Sequence, residues 1–153
     1  MHVEKDFARF EGSWKGTNRL YLSSIPEVLK ESDSTMSVSL KANGQFIQFD
    51  YTWVFEGEKQ EGLIILGCDT KSDAVQTVWT DSWHSRNTFM LSDGKVTEDG
   101  TASVKGYYKV PDHPDWGWRM DIIPGDHAFK LVMFNVSPEG VEELAVDTLY
   151  ERA

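Results

Sequence analysis

The sequence predicts an all-β protein: a closed or nearly closed antiparallel β-barrel of about nine to ten strands, preceded by a short N-terminal helix. Three observations carry that prediction. Hydrophobicity alternates with a period of two along most of the chain, most clearly where Ile47, Phe49, Tyr51, Trp53 and Phe55 face Gln48, Asp50 and Thr52. Turn signals such as Asn43-Gly44, Asp99-Gly100 and Pro124-Gly125-Asp126 separate the alternating runs at short intervals. No long amphipathic helix interrupts them, which argues against an α/β arrangement. Closing such a sheet removes its exposed edges. A barrel of this size is either filled by its own side chains or just wide enough for a small ligand.

The elements follow in order. Val3, Phe7 and Phe10 have a helical spacing, and Gly12 ends that segment. From Ser13 the period becomes two, with Trp14, Gly16, Asn18 and Leu20 on one face of the first strand. Residues 25–30 form a connector, either a crossover loop or a lid over a barrel mouth. Strands are expected over 34–42, 47–55, 62–68, 75–83, 87–91, 102–110, 116–123, 128–136 and the C-terminal stretch. Gly57-Glu58, Asp69 to Asp73, Asp93-Gly94 and Ser137 to Gly140 read as turns. Two prolines exclude a central strand at Pro111-Asp112-His113-Pro114-Asp115. On the next strand Trp116, Trp118, Met120 and Ile122 share a face, leaving Arg119 outward. The last strand sets Leu144, Val146, Thr148, Tyr150 and Arg152 against Ala145, Asp147 and Glu151.

Composition bounds the partners. The chain has 153 residues, which suits one domain spanning 1–153 and a core that needs no covalent staples. Its net charge of −10 disfavours nucleic acid and anionic membrane surfaces. Cys68 is the only cysteine, so there is no intrachain disulfide and no multi-thiolate metal site. The N-terminal residues are charged where a signal peptide needs an apolar run, and no apolar stretch is long enough to span a membrane. A cytoplasmic protein is the expectation.

The ends and the middle of the chain carry a resemblance. Gly12-x-Trp14 at the start and Arg152 at the end are similar to the calycin pattern of lipocalins and fatty-acid-binding proteins. Glu61-Gly62 … Leu66-Gly67-Cys68-Asp69, then Trp79-Thr80-Asp81-Ser82, then Tyr150-Glu151-Arg152 resemble a family of small bacterial calycin-like proteins catalogued as a domain of unknown function. Cys68 stands where that pattern has Tyr. The resemblance implies that Arg152 packs across Trp14 and closes one end of the barrel. It implies no reaction.

Chemistry centres on Trp79-Thr80-Asp81-Ser82-Trp83-His84. If the odd positions point inward, Asp81 enters an aromatic interior, where a carboxylate has to be paired, solvated or protonated. It is then a ligand anchor or a proton-transfer group, or else a structural acceptor near the barrel end. His84 either meets Asp81 through a bulge or sits outside. Asp81, Ser82 and His84 do not make a nucleophilic triad, because no G-x-S-x-G turn presents the serine. No H-E-x-x-H, Gly-rich phosphate loop or other metal pattern occurs, so no cofactor or metal is expected. Asp112-His113-Pro114-Asp115 reads as a solvated turn rather than a cation site, and His127 is the one candidate haem ligand. The aromatic side chains either fill the core or line a cavity with a few polar anchors. A ligand site would draw on Asn18, Tyr51, Trp53, Trp79, Asp81, Trp83 and Trp118. The leading expectation is a binding protein for a small hydrophobic or aromatic molecule. The alternatives are an enzyme using Asp81 with His84 as acid and base, and an interaction module, including a homodimer.

Overall fold

The computed structural model describes residues 7–22 and 28–153. Ten strands form one closed antiparallel barrel: β1 (Gly12–Leu22), β2 (Val28–Lys41), β3 (Phe46–Phe55), β4 (Glu58–Cys68), β5 (Ala74–Asp81), β6 (Met90–Val96), β7 (Ala102–Tyr108), β8 (Trp116–Pro124), β9 (Ala128–Val136) and β10 (Glu142–Arg152). Consecutive strands are neighbours, and β1 closes the circle against β10. The inward rows expected from the alternation are the buried ones: Ile47, Phe49, Tyr51 and Trp53 on β3, and Val75, Thr77, Trp79 and Asp81 on β5.

Two expectations are revised, and two others fall largely on residues that are not described. Residues 3–6 of the helix expected over 3–10, and 25–27 of the expected connector or lid, lie outside the described residues, and residues 28–30 belong to β2. Phe7 and Ala8 are helical, and the segment ends in turns closed by Phe10 N–H to Phe7 O and Glu11 N–H to Ala8 O. Asp93 and Gly94 are not a turn; they lie within β6 and pair with Lys105 and Val104 of β7. Glycine is needed there because a Cβ on residue 94 would sit 1.8 Å from the Ser103 carbonyl oxygen. On β10 the register slips between Leu144 and Val146, which buries Ala145 as well as Val146. A bulge of this kind shifts which residues face inward.

The closure is a set of side-chain contacts. Trp14 pairs with Arg152 across β1 and β10. The Arg152 guanidinium carbon stands 4.1 Å from the centre of the Trp14 ring, close enough for cation–π attraction. Its two terminal nitrogens donate to the carbonyls of Glu11 (2.8 Å) and Arg9 (2.7 Å). Trp14 Nε1 donates to the Phe10 carbonyl at 2.7 Å. The same arginine therefore holds the last strand, the first strand and the segment that crosses the barrel end. Phe7, Phe10, Trp14, Phe49, Phe129 and Tyr150 pack edge-on or stacked beneath it.

Arg119 faces outward as expected, with its guanidinium over Phe134 and its charges met by Asp121 and Glu142. Among the described residues no helix is long and apolar enough to cross a membrane.

The closure predicts a ranked loss of stability. Trp14→Ala should cost about 3–5 kcal/mol, the range for truncating a buried large aromatic. Arg152→Ala should cost about 1–3 kcal/mol through its charged hydrogen bonds. Denaturant unfolding checks both. A large loss of ligand binding at unchanged stability would instead give the pair a functional role.

Candidate functional site

The turns after β3, β5, β7 and β9 lie at the opposite end from the Arg152 closure. Here the chain makes a second aromatic cluster: Trp53, Phe55, Trp79, Trp83 and Trp118, with His84 among them. The His84 ring centre lies 4.7 to 5.6 Å from the ring centres of Trp83, Trp79, Trp118 and Trp53. Trp79 and Trp118 stack with only 7° between their planes.

Asp81 is the last residue of β5 and is 2% exposed. Its carboxylate collects donors from one strand, β3, and from the turn that follows β5. Oδ2 accepts from the Tyr51 hydroxyl at 2.7 Å and from Trp53 Nε1 at 3.1 Å. Oδ1 accepts from the backbone N–H groups of Trp83 (2.8 Å) and His84 (3.1 Å). That last pattern is an Asx turn, in which an aspartate side chain caps the backbone that follows it. It brings Trp83 and His84 back over the barrel end, so His84 meets Asp81 by a turn and not by the expected bulge. The strand stops at Asp81, and Trp83 turns inward from the loop. Ser85 Oγ completes the turn by accepting from the Asp81 N–H at 2.9 Å.

Tyr51 reaches Asp81 because of a missing side chain. Gly62 lies between them, paired with Tyr51 on one side and Asp81 on the other. A Cβ at residue 62 would fall 2.0 Å from the Tyr51 ring. The ring therefore crosses β4 over the glycine and places its hydroxyl on the carboxylate. This is the physical content of the Glu61-Gly62 motif. Trp79 Nε1 donates to the Tyr51 oxygen at 2.9 Å and completes the network.

The protonation states follow from these contacts. Burial pushes the Asp81 carboxyl up, but the His84 imidazole, the Tyr51 hydroxyl and the Trp83 N–H outweigh it and hold the group below the usual carboxylate range. Burial first, and then the charge of Asp81, push the Tyr51 hydroxyl well up. Asp81 is thus an ionised acceptor and Tyr51 a neutral donor. His84 Nδ1 stands 3.1 Å from Asp81 Oδ1, within ion-pair reach. Neither ring nitrogen has an aligned hydrogen bond among the described residues. Trp118 Nε1 is buried without a partner among the described residues as well. A buried donor or acceptor in that condition costs roughly 1–3 kcal/mol.

A cleft of about 720 Å³ opens beside this cluster, lined by Trp79, Trp83, His84, Met90, Tyr108 and Trp118 among others. It lies where the β6–β7 ladder stops: that pairing covers Asp93 to Val96 with Lys105 to Ala102, whereas β6 begins at Met90 and β7 ends at Tyr108. Phe89 and Tyr107 stand exposed on the cleft wall. The loop that forms one side has positive φ at Arg86 and Asn87, a conformation that Asn tolerates better than most residues.

Of the residues singled out from the sequence, Trp79, Trp83, His84 and Trp118 line the cleft. Tyr51, Trp53 and Asp81 stand behind them as the bonded floor. Asn18 is elsewhere: its Oδ1 accepts from Thr148 Oγ1 at 3.1 Å across β1 and β10. Ser34, which sequence reasoning missed, bonds Tyr150 at 2.8 Å inside the barrel; its place on the inward face of β2 was the available signal. His127 lies exposed between β8 and β9. Among the described residues no three His, Cys, Asp or Glu converge as a metal would require.

Two pH limbs of stability follow. A group with a depressed folded pKa stabilises the fold above its unfolded value and loses that contribution as pH falls through the folded one. Asp81 therefore sets an acid limb below the ordinary aspartate range, which Asp81→Asn should flatten. For tyrosine the sign reverses. Tyr150 is pushed up to about 12, chiefly by burial, so its contribution is full below the unfolded value and is lost as pH rises toward 12. The loss amounts to about 2–3 kcal/mol, at about 1.4 kcal/mol per pH unit. Tyr150→Phe should flatten that alkaline limb, as read by denaturant unfolding at stepped pH.

No curated protein matches the chain. A family match spans residues 2–152, nearly the whole chain, and carries the description "Protein of unknown function (DUF1579)". The ten-stranded barrel, its Trp14–Arg152 closure and the Asp81 network thus describe a chain that belongs to the DUF1579 family.

Proposed function

We propose that the protein is a cytoplasmic binding barrel of calycin-like descent that holds a small apolar or aromatic molecule in the cleft beside β6 and β7. The observation that carries this reading is the lining. Three indoles, those of Trp79, Trp83 and Trp118, face a cleft of about 720 Å³, a size within the range of small-molecule pockets. The Trp14–Arg152 closure supports the kinship with lipocalins and fatty-acid-binding proteins. A lone, half-buried thiol at Cys68 suits a reducing compartment.

Affinity would come from burying the ligand against the indoles, and the Asp81 network keeps those indoles in place. Titration with phenylnaphthylamine, a neutral aromatic probe, should quench tryptophan emission to saturation at one site. Trp118→Ala and Trp83→Ala should each weaken it by about tenfold, equivalent to about 1.4 kcal/mol. Unchanged emission across this probe and a broad apolar library would remove the reading.

A second reading rests on one contact, the 3.1 Å approach of His84 Nδ1 to Asp81. Asp81 would orient the imidazole, and Nε2 would take or give the proton of a substrate in the cleft. Aryl esters and enolisable ketones are the substrates to assay. The reading requires that the intact protein turn one of them over and that His84→Gln abolish turnover with the melting temperature kept. Absence of turnover in both panels sinks it.

A further inference from the structure

We infer that the ligand of the cleft is an aromatic anion: a flat ring system carrying a carboxylate, sulfonate or similar oxyanion. The inference rests on the cleft being the ligand site and adds the charge of what enters it. Aspartate and glutamate outnumber lysine and arginine 25 to 15 in this chain. The cleft lining inverts that balance: it contains Arg86, Lys109 and His84 and no carboxylate residue. Arg86 has no ion-pair partner among the described residues, and Lys109 has only a 3.9 Å approach to Asp115 with its own side chain almost fully exposed. Such a pair is weak in water. Both cations are therefore available to a third party.

The floor points the same way. Trp118 Nε1 can only donate, and it is buried with no acceptor among the described residues. The one buried carboxylate nearby, Asp81, is already saturated by Tyr51, Trp53 and the Trp83 and His84 N–H groups, so its charge is spent within the wall. A ligand oxygen that reaches Trp118 Nε1 would satisfy a donor that a hydrocarbon leaves bare. The flat part is set by the walls, where the Trp79 and Trp118 rings lie near parallel and Phe89 and Tyr107 present exposed rings. Offset or edge-on contact with rings is how an arene gains beyond simple burial. The oxyanion then rests on Arg86 and Lys109, and the ring system on the indoles.

The test uses two dyes with the same rings, anilinonaphthalene sulfonate and phenylnaphthylamine, which lacks the sulfonate. Each is titrated into the intact protein at low and high salt. The expected result is one saturable site that prefers the sulfonate by about tenfold at low salt, with the preference shrinking as salt screens the charges. The double charge reversal Arg86→Glu with Lys109→Glu, at exposed positions on the cleft rim, should erase the preference. Equal binding of the two dyes, or a preference that survives the reversal, overturns the anionic assignment and leaves the cleft reading standing. Binding of neither dye overturns both.

Discussion

The Asp81 carboxylate is the point from which the open end of the barrel is built. A buried charge is tolerated only when its oxygens are occupied, and here each oxygen takes two hydrogen bonds. Those bonds fix three things together. They hold Tyr51 across β4, they lock the Trp53 indole, and they fold the chain after β5 back so that Trp83 and His84 cover the end. Neutralising or removing the charge would release a donor from each of these places. The carboxylate is thus a structural centre before it is a chemical one, and any chemistry at His84 is inherited from it.

Most of the fold was legible because its signal is periodic. Inward rows on β3 and β5 are set by alternation alone, and Asn43-Gly44 and Asp99-Gly100 mark real turns. The failures have local causes. Asp93-Gly94 looks like a hairpin turn, but Gly94 is present because the β7 backbone approaches too closely for a side chain. Alternation carries on past Asp81 and points to a strand through Trp83, whereas the Asx turn ends the strand at Asp81. An aspartate followed by a polar Ser-x-x-Ser stretch was the available sign. The cleft itself was not legible. It depends on where the β6–β7 ladder stops, which is a matter of register between strands and not of residue type.

The aromatic residues divide into two groups with different tasks. Phe7, Phe10, Trp14, Phe49, Phe129 and Tyr150 fill the closed end and are buried as a conventional core. Trp83 and Trp118 at the other end are only partly buried and lean on that core from outside. Sequence alone offers a filled interior or a lined cavity as alternatives for a single set of rings. The barrel does both, at opposite ends, with the Tyr51–Asp81 layer between them.

The Trp14–Arg152 lock also bears on how the molecule comes into being. Every ladder but one joins consecutive strands, so most of the sheet can pair as the chain grows. The exception joins the first strand to the tenth, and contacts so distant in sequence form slowly. Without β10 the edges of β1 and β9 that it pairs are left open, and free edges are where chains stick to one another. β10, the latest of the ten to be synthesised, covers both at once. Truncation or delayed synthesis of that strand therefore leaves an open sheet with two unpaired sides in place of a closed barrel.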